Sequence, residues 1–281
     1  MSKITNLLIL GSNSRSINIH KYLVSRGYSS SIGKFPKGSQ EIIKIGEKEI
    51  SLQDLKGFDL VILSGVSKII EKEYLNLPKF GMITCHAGAL PEYRGSSPLS
   101  WSLLNGDSFI GLSVIKTVPR VDEGDIYCSA RFDTKNLINI DDLHKLADEQ
   151  FPFLMHTAIL NIENNIPPIK QISHFTGYYP LRNRADSQIK FDIMSADYIK
   201  RLFNSYSPRY GYPFFSYNSK EIEVLSVDIK YNFHGVAGKI YQITKNKILV
   251  ACKSDAVWIS FEPRLELEMF ARYSSLLDNK K

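Results

Sequence analysis

Short apolar runs bounded by turn residues recur along the first two thirds of the chain. Residues 4–10, 58–63 and 81–86 are apolar over most of their length and end at Gly, Ser or His-Ala-Gly. Runs of this kind are typical of strands that are buried on both faces of a parallel sheet. We therefore predict three buried strands here, and two further strands at 111–117 and 126–132, where apolar and polar residues alternate.

Apolar residues at helical spacing separate these runs. Ser14 or Ser16 is expected to cap a first helix that ends near Gly27. A weak strand pattern follows from Ser29, and polar segments then extend to Gly57. The other predicted helices are a short one at 71–77, one opened by proline at 98–105, and the longest at 140–164. The alternation predicts an α/β, Rossmann-like domain over residues 1–180.

The pattern changes in the last third of the chain. After two prolines at 167–168 the sequence reads as a connector to about residue 190. One helix is predicted at 196–203, and short alternating segments follow at 221–229, 236–243, 247–252 and 256–261. Residues 181–281 are thus predicted to be a linker plus a smaller β-rich, barrel-like (OB-like) domain.

Composition narrows the class of protein. Of 281 residues, 43% are hydrophobic and 23% charged, which is typical of a globular protein. No apolar run approaches the ~18 residues of a membrane helix, and the uninterrupted apolar stretch at residues 7–10 is shorter than the ~7–15 residues of a secretory signal core. Three cysteines without a Cys-x-x-Cys pair exclude a disulfide framework and a cysteine-rich zinc site. We therefore expect a cytoplasmic protein without a membrane partner.

The charge of the chain is unevenly distributed. Residues 1–181 carry 19 Lys and Arg against 18 Asp and Glu, whereas residues 182–281 carry 16 against 11, so the net charge of +6 divides into +1 and +5. A basic C-terminal third favours nucleic acid or another anionic ligand. The basic residues form no run, so a mildly basic domain without such a ligand is the favoured explanation of the charge.

Candidate chemistry is densest after the third predicted strand. His86 stands at the end of that strand, before a loop broken by Gly and Pro, and Asp122 follows 36 residues later. Catalytic groups of open α/β sheets are often placed in this way. A carboxylate beside a histidine raises the pKa of the ring and fixes its tautomer, which suits proton transfer near neutral pH.

Two ordered motifs resemble the formyltransferases that use N10-formyltetrahydrofolate. The first is an Asn-x-His and Leu-Pro-x-Tyr-Arg-Gly signature, which appears here at residues 84–86 and 90–95 with Thr84 in place of the asparagine. The second is Asp-x-Gly-Asp-Ile, at residues 122–126. The resemblance extends to residues 58–70 and 178–191, and more loosely to 196–261, whereas residues 11–55 are the least similar part.

The resemblance implies formyl transfer to a primary amine without a metal. His86 is expected to accept or relay the amine proton and to stabilise the oxyanion, and Asp122 to hold His86. Thr84 is expected to supply the oxyanion hydrogen bond that the family draws from asparagine. A threonine hydroxyl donates one hydrogen bond with a shorter reach, and loss of one oxyanion donor costs ~10²–10³ in rate.

Binding residues are carried over from the same resemblance. The folate pocket is expected at Ser64, Gly65 and Val66 and at Pro119, Arg120 and Val121. Candidate acceptor-binding residues are Arg94, Tyr93 and Tyr179, although Arg94 can equally anchor its own loop and Tyr93 can serve in packing. The turn at residues 11–16 is a weaker candidate for phosphate binding at a helix N-terminus.

Three acceptor amines compete. The tRNA enzymes of the family carry a longer basic insertion after the second strand, and the glycinamide nucleotide enzymes lack a second domain. His86-Ala87-Gly88 in place of His-Pro-Ser is similar to the sugar N-formyltransferases, which make formamido sugars for surface polysaccharides such as the lipopolysaccharide O-antigen and are often dimers. A nucleotide-linked amino sugar is therefore the expected substrate; methionyl-tRNA or a non-catalytic folate-binding role are the alternatives.

Overall fold

The computed structural model describes residues 3–38, 41–172 and 177–261. The strands are β1 (Asn6–Leu10), β2 (Ser29–Gly33), β3 (Ile42–Ile45), β4 (Lys48–Ser51), β5 (Leu60–Ser64), β6 (Met82–His86), β7 (Arg94–Gly95), β8 (Phe109–Lys116), β9 (Ile126–Asp133), β10 (Tyr178–Tyr179), β11 (Phe214–Tyr217), β12 (Lys220–Glu223), β13 (Ser226–Lys230), β14 (Ile240–Ile243), β15 (Lys247–Ala251) and β16 (Ala256–Ser260). The α-helices are α1 (Ser14–Ser25), α2 (Pro98–Asn105), α3 (Ile140–Glu163) and α4 (Ala196–Asn204), and two 3-10 turns span Leu52–Gly57 and Arg184–Ser187.

The chain divides into two compact units. The first comprises Met1–Leu99, Ser108–Asn136 and Leu143–Pro180, and the second Ser100–Asp107, Leu137–Asp142 and Leu181–Lys281. Among the described residues, no helix is both long and apolar enough to cross a membrane.

A six-stranded mixed sheet forms the centre of the first unit. Its strand order is β2-β1-β5-β6-β8-β9, with the first four strands parallel and β8 and β9 antiparallel. Every residue of β5 and the last four of β1 are buried. Burial on both faces explains why these strands are continuous apolar runs, and the predicted α/β class is confirmed.

The two faces of the sheet are covered by different elements. Leu8 and Leu10 of β1 pack with residues of the β3–β4 hairpin and of the 3-10 turn that follows it. Side chains of a strand alternate between faces, so Leu7 and Ile9 point to the other side. Helices α1 and α3 contact each other through Tyr22 and Phe153, whose ring centroids lie 5.0 Å apart.

Three local predictions are corrected by the structure. Asn13 caps α1 by accepting a hydrogen bond from the backbone N–H of Ser16 at 2.9 Å, so neither predicted serine is the cap. Residues 71–77 form successive turns rather than a helix, because Pro78 disfavours helical backbone at Leu77. The β3–β4 hairpin occupies a segment that looked merely polar.

The second unit is rich in β-structure, as expected. Its four-stranded antiparallel sheet has the order β13-β16-β15-β14 with two free ends, and β11 and β12 form a separate hairpin. The described strands therefore form an open sheet rather than a closed barrel. The segment predicted at 221–229 divides into β12 and β13, and β14 begins at Ile240 rather than at residue 236.

Truncation of a fully buried strand residue is expected to destabilise the first unit. Leu8 is 0% exposed, so Leu8→Ala leaves a cavity and lowers the free energy of unfolding by about 2–5 kcal/mol. Val24 on α1 is 48% exposed, and Val24→Ala is expected to change it by less than about 0.5 kcal/mol. Urea unfolding followed by circular dichroism measures both; equal effects of the two variants would contradict the assigned burial.

Candidate active site

The site begins at the carboxyl end of β6, in the middle of the sheet. His86 is the last residue of this strand and is buried, with 6% of its surface exposed. Thr84 lies two residues earlier and therefore on the same face of the strand, whereas Cys85 points to the opposite face. Burial raises the pKa of the Cys85 thiol to about 12, so this cysteine is a poor nucleophile.

Each ring nitrogen of His86 faces a protein oxygen. Nε2 lies 2.7 Å from the carbonyl oxygen of Tyr93, and Nδ1 lies 3.4 Å from Oδ1 of Asp122. Both oxygens are hydrogen-bond acceptors, and a neutral imidazole has only one N–H to donate. The charged ring is the form that can donate towards both of them.

Burial opposes that charged form. It lowers the pKa of His86 below its ordinary value, while the Asp122 carboxylate and the Tyr93 carbonyl favour the charged ring, and nearby Arg15 disfavours it. His86 is therefore uncharged at neutral pH, with two acceptors already in place for the imidazolium that forms when it takes a proton. This arrangement suits a general base.

Two glycines permit the close approach of the loops around His86. A Cβ at Gly88 would lie 2.6 Å from Nε2 of His86, and a Cβ at Gly124 would lie 1.7 Å from the carbonyl oxygen of Lys116. Larger residues at either position would displace the histidine or the loop that carries Asp122.

An open cleft lies beside Thr84 and Asp122. It has an empty volume of about 570 Å³. Its lining includes six of the residues that the sequence predicted for the catalytic and folate sites: Val66, Thr84, Pro119, Arg120, Val121 and Asp122. Ser64, Gly65 and His86 are not among the lining residues; Ser64 is fully buried, and His86 lies behind Thr84 and Asp122.

Two side chains of the cleft were missed by the sequence analysis. The Nζ atom of Lys68 is buried without a hydrogen-bond partner among the described residues and lies 4.4 Å from the ring centroid of Phe35. Burial lowers the pKa of this lysine. The hydroxyl of Thr117 lies 2.8 Å from that of Thr84. Only the fold brings Thr117 to Thr84, across the β6–β8 strand pair.

The predicted acceptor-binding residues contact one another and the loops. The rings of Tyr93 and Tyr179 stack with centroids 4.9 Å apart at 7°. Arg94 is buried and donates to Oε1 of Gln171 at 3.0 and 2.7 Å from Nε and Nη2. These contacts tie Arg94 to the connector at Gln171, and its role in acceptor binding stays a prediction.

The turn at residues 11–16 already holds a negative group. The Asp148 carboxylate accepts a hydrogen bond from the hydroxyl of Ser14 and lies 3.0 Å from Nε of Arg15, at the first turn of α1. An acidic side chain satisfies the partial positive charge of a helix N-terminus, so an incoming phosphate would meet a like charge there.

Comparison with known proteins matches both parts of the chain to one family. The family described as Formyl transferase matches residues 45–156, and its C-terminal domain matches residues 182–265. The chain belongs to the formyltransferase family. The formyl donor of this family is N10-formyltetrahydrofolate.

One relative is named for a tRNA acceptor. Methionyl-tRNA formyltransferase of Clostridium tetani is 30% identical over 198 residues, which cover 69% of this chain. The chain spans only 63% of the length of that relative.

Solved structures share the fold. The N-formyltransferase of Helicobacter canadensis, in complex with folinic acid and dTDP-3-aminofucose, matches with a TM-score of 0.72 at 17% identity and covers 92% of this chain and 99% of its own. HypX of Aquifex aeolicus in complex with tetrahydrofolic acid has a TM-score of 0.68 at 17% identity, covering 94% of this chain and 45% of its own.

The charge of Asp122 is expected to set the proton affinity of His86. Asp122→Asn removes the carboxylate that favours the charged ring, so the pKa of His86 falls further below its ordinary value. An NMR titration of the histidine ring signals measures this shift. His156, whose pKa is also lowered by burial, serves as the unaffected internal reference. An unchanged or raised pKa of His86 would show that Asp122 does not act on the ring.

Proposed function

We propose that the protein transfers a formyl group from N10-formyltetrahydrofolate to the primary amine of a nucleotide-linked amino sugar. The observation that carries the proposal is the buried His86, placed between the Tyr93 carbonyl and the Asp122 carboxylate next to the cleft. Proton transfer from an attacking amine needs a neutral base whose protonated form is stabilised, and this environment supplies both.

The cleft fits a folate. Its lining combines apolar side chains, among them Val66, Ile70 and Ile115, with the buried ammonium of Lys68. Apolar walls suit a flat heterocycle, and an ammonium without a hydrogen-bond partner suits a carbonyl or carboxylate of the ligand. When bound, N10-formyltetrahydrofolate supplies the electrophilic formyl carbon and leaves as tetrahydrofolate.

The side chains of the site divide the remaining work. His86 takes a proton from the amine as the amine nitrogen bonds to the formyl carbon, and the imidazolium donates towards Asp122 and Tyr93. It then gives the proton to the departing folate nitrogen as the old carbon–nitrogen bond breaks, which returns His86 to its neutral form. Of the two hydroxyl protons of Thr84 and Thr117, one is used in their mutual hydrogen bond and the other is free to donate into the cleft. That donor can stabilise the negative charge that develops on the carbonyl oxygen.

Several features favour a sugar acceptor. Ala87-Gly88 follows His86 as in the sugar enzymes that the motif resembles, and Gly88 leaves no room for a larger residue against the ring. The basic insertion of the tRNA enzymes has no counterpart in the short segment between β2 and β3. The Helicobacter canadensis N-formyltransferase, which is in complex with dTDP-3-aminofucose, matches over nearly its whole length. The carboxylate of Asp148 at α1 disfavours a phosphate there, against a glycinamide nucleotide.

Methionyl-tRNA is the second candidate acceptor. The names of the curated relatives and the excess of basic residues after residue 181 favour it. Binding dominated by phosphate contacts falls steeply with salt concentration, whereas a nucleotide sugar in one compact site depends on salt only modestly.

A transfer assay with N10-formyltetrahydrofolate decides between the acceptors. We expect turnover on one member of a panel of nucleotide-linked amino sugars and none on methionyl-tRNA, with activity abolished in His86→Asn while folate binding is retained. Turnover on tRNA alone, with a steep salt dependence, would establish the second candidate. Folate binding without turnover on any acceptor would identify a non-catalytic relative, and turnover by His86→Asn would contradict the mechanism.

The hydroxyl of Thr84 is expected to be needed for transfer. Thr84→Val keeps the shape of the side chain but removes the donor, and we expect a ~10²-fold loss of kcat with little change in the KM for the folate. Thr84→Ser keeps the hydroxyl and is the matched control, with activity near that of the wild type. Steady-state kinetics measure both variants. Wild-type kcat in Thr84→Val would assign the oxyanion donor to the Thr117 hydroxyl or to a backbone N–H instead.

A further inference from the structure

One side chain of the connector holds both catalytic loops. The first family match ends at residue 156 and the second begins at residue 182, and Gln171 lies between them. Its amide contacts the loop that contains Arg94, which follows β6, and the loop that carries Asp122, which precedes β9. Gln171 therefore joins the motif that contains Arg94 to the motif that contains Asp122, which lies 28 positions later in the sequence.

The amide of Gln171 uses its full hydrogen-bonding capacity. Nε2 donates to the carbonyl oxygens of Asp122 at 2.8 Å and Gly124 at 2.7 Å. Oε1 accepts both hydrogen bonds from Arg94, from Nε at 3.0 Å and from Nη2 at 2.7 Å. A reversed amide would face the guanidinium with N–H groups and the carbonyls with oxygen, so these partners fix its orientation.

Asp122 needs such support. Its φ of 53° lies in the left-handed region, which non-glycine residues adopt only at a cost in energy. Gln171 holds its carbonyl oxygen, and the backbone N–H of Gly95 holds Oδ2 of its carboxylate at 2.9 Å. Since Oδ1 of the same carboxylate lies 3.4 Å from Nδ1 of His86, any rotation of this backbone moves the charge relative to the ring.

The same segment of chain supports Gly95 from the other side. Strand β10 pairs with β7, and the backbone N–H of Ser96 donates to the carbonyl oxygen of Tyr179 at 2.8 Å. A Cβ at Gly95 would lie 2.3 Å from that oxygen. The N–H that binds Asp122 is thus fixed by residues that follow Gln171 in the chain.

We propose that Gln171 is a positioning residue for formyl transfer: its amide fixes the backbone of Asp122 and the guanidinium of Arg94, and so places the carboxylate beside His86. The expected fall in kcat rests on the proposed function, because it requires formyl transfer to be measured. The geometric consequence of the inference, the position of the carboxylate relative to the imidazole, exists whether or not an acceptor is known.

Gln171→Met tests the inference, because methionine has a similar length, no charge and no strong hydrogen-bonding group. We expect kcat to fall ~10²-fold, as for a small misplacement of a catalytic group, with the KM for the folate nearly unchanged. Gln188→Met is the matched control. The amide of Gln188 makes one 3.4 Å hydrogen bond to Ser216 in the second unit, and we expect wild-type kinetics.

The pH profile separates positioning from general stability. The groups that act on the charge of His86 are the Asp122 carboxylate, the Tyr93 carbonyl and Arg15 of α1. If the carboxylate moves away in Gln171→Met, the pKa of His86 falls, so the acid limb of kcat/KM and the NMR titration of the ring both move to lower pH. Gln171→Asn, which keeps the amide on a shorter stem, gives a second variant should methionine prevent folding.

The outcomes are distinguishable. A folded Gln171 variant whose His86 titrates as in the wild type overturns the inference, even if kcat or thermal stability is reduced. Asp122→Asn combined with Gln171→Met is expected to have the kcat of Asp122→Asn alone, and an additive loss also overturns it. A wild type that makes no formamide on any acceptor overturns the proposed function, whereas a shifted His86 titration in the variant still supports the positioning role.

Discussion

The candidate site depends on how the buried imidazole of His86 contacts the Tyr93 carbonyl and the Asp122 carboxylate. Both of its nitrogens face oxygens that accept hydrogen bonds, in buried surroundings that disfavour a charged ring. The neutral ring is therefore the resting form, and the charged ring is the form that its neighbours are arranged to stabilise. A small shift in the carboxylate of Asp122 changes the balance, so the backbone that carries this residue must be held firmly.

The loops meet that requirement through close approach rather than through apolar packing. Gly88, Gly95 and Gly124 lie where a Cβ would collide with a ring nitrogen or a backbone oxygen. The connector then fastens both loops, through the amide of Gln171 and the pairing of β10 with β7. The central sheet provides the fixed end of this arrangement, because β6 lies between β5 and β8 and cannot shift without breaking two strand pairs.

Prediction from sequence succeeded where local pattern and geometry agree. The fully buried strands β1 and β5, the proline-opened helix α2 and the long helix α3 all follow from periodicity and capping. It failed at residues 71–77, where periodicity suggested a helix that Pro78 prevents, and at the β3–β4 hairpin, whose Ile residues are separated by Lys and Glu. Thr117 and Gln171 were missed because neither belongs to a motif. Lys68 lies in the similar segment 58–70 but was missed because its burial beside Phe35 depends on a partner distant in the sequence.

Apolar runs and ordered motifs, which are local properties of the chain, were enough to predict the fold class and the family. The same motifs name His86, Asp122 and Thr84 as candidate catalytic groups. The tertiary structure alone decided how these groups interact: which nitrogen of His86 faces which oxygen, that Arg94 is anchored to Gln171, and that the first turn of α1 is already occupied by Asp148. Such contacts join residues up to 134 positions apart. They depend on sheet order and loop packing, which no short stretch of sequence specifies.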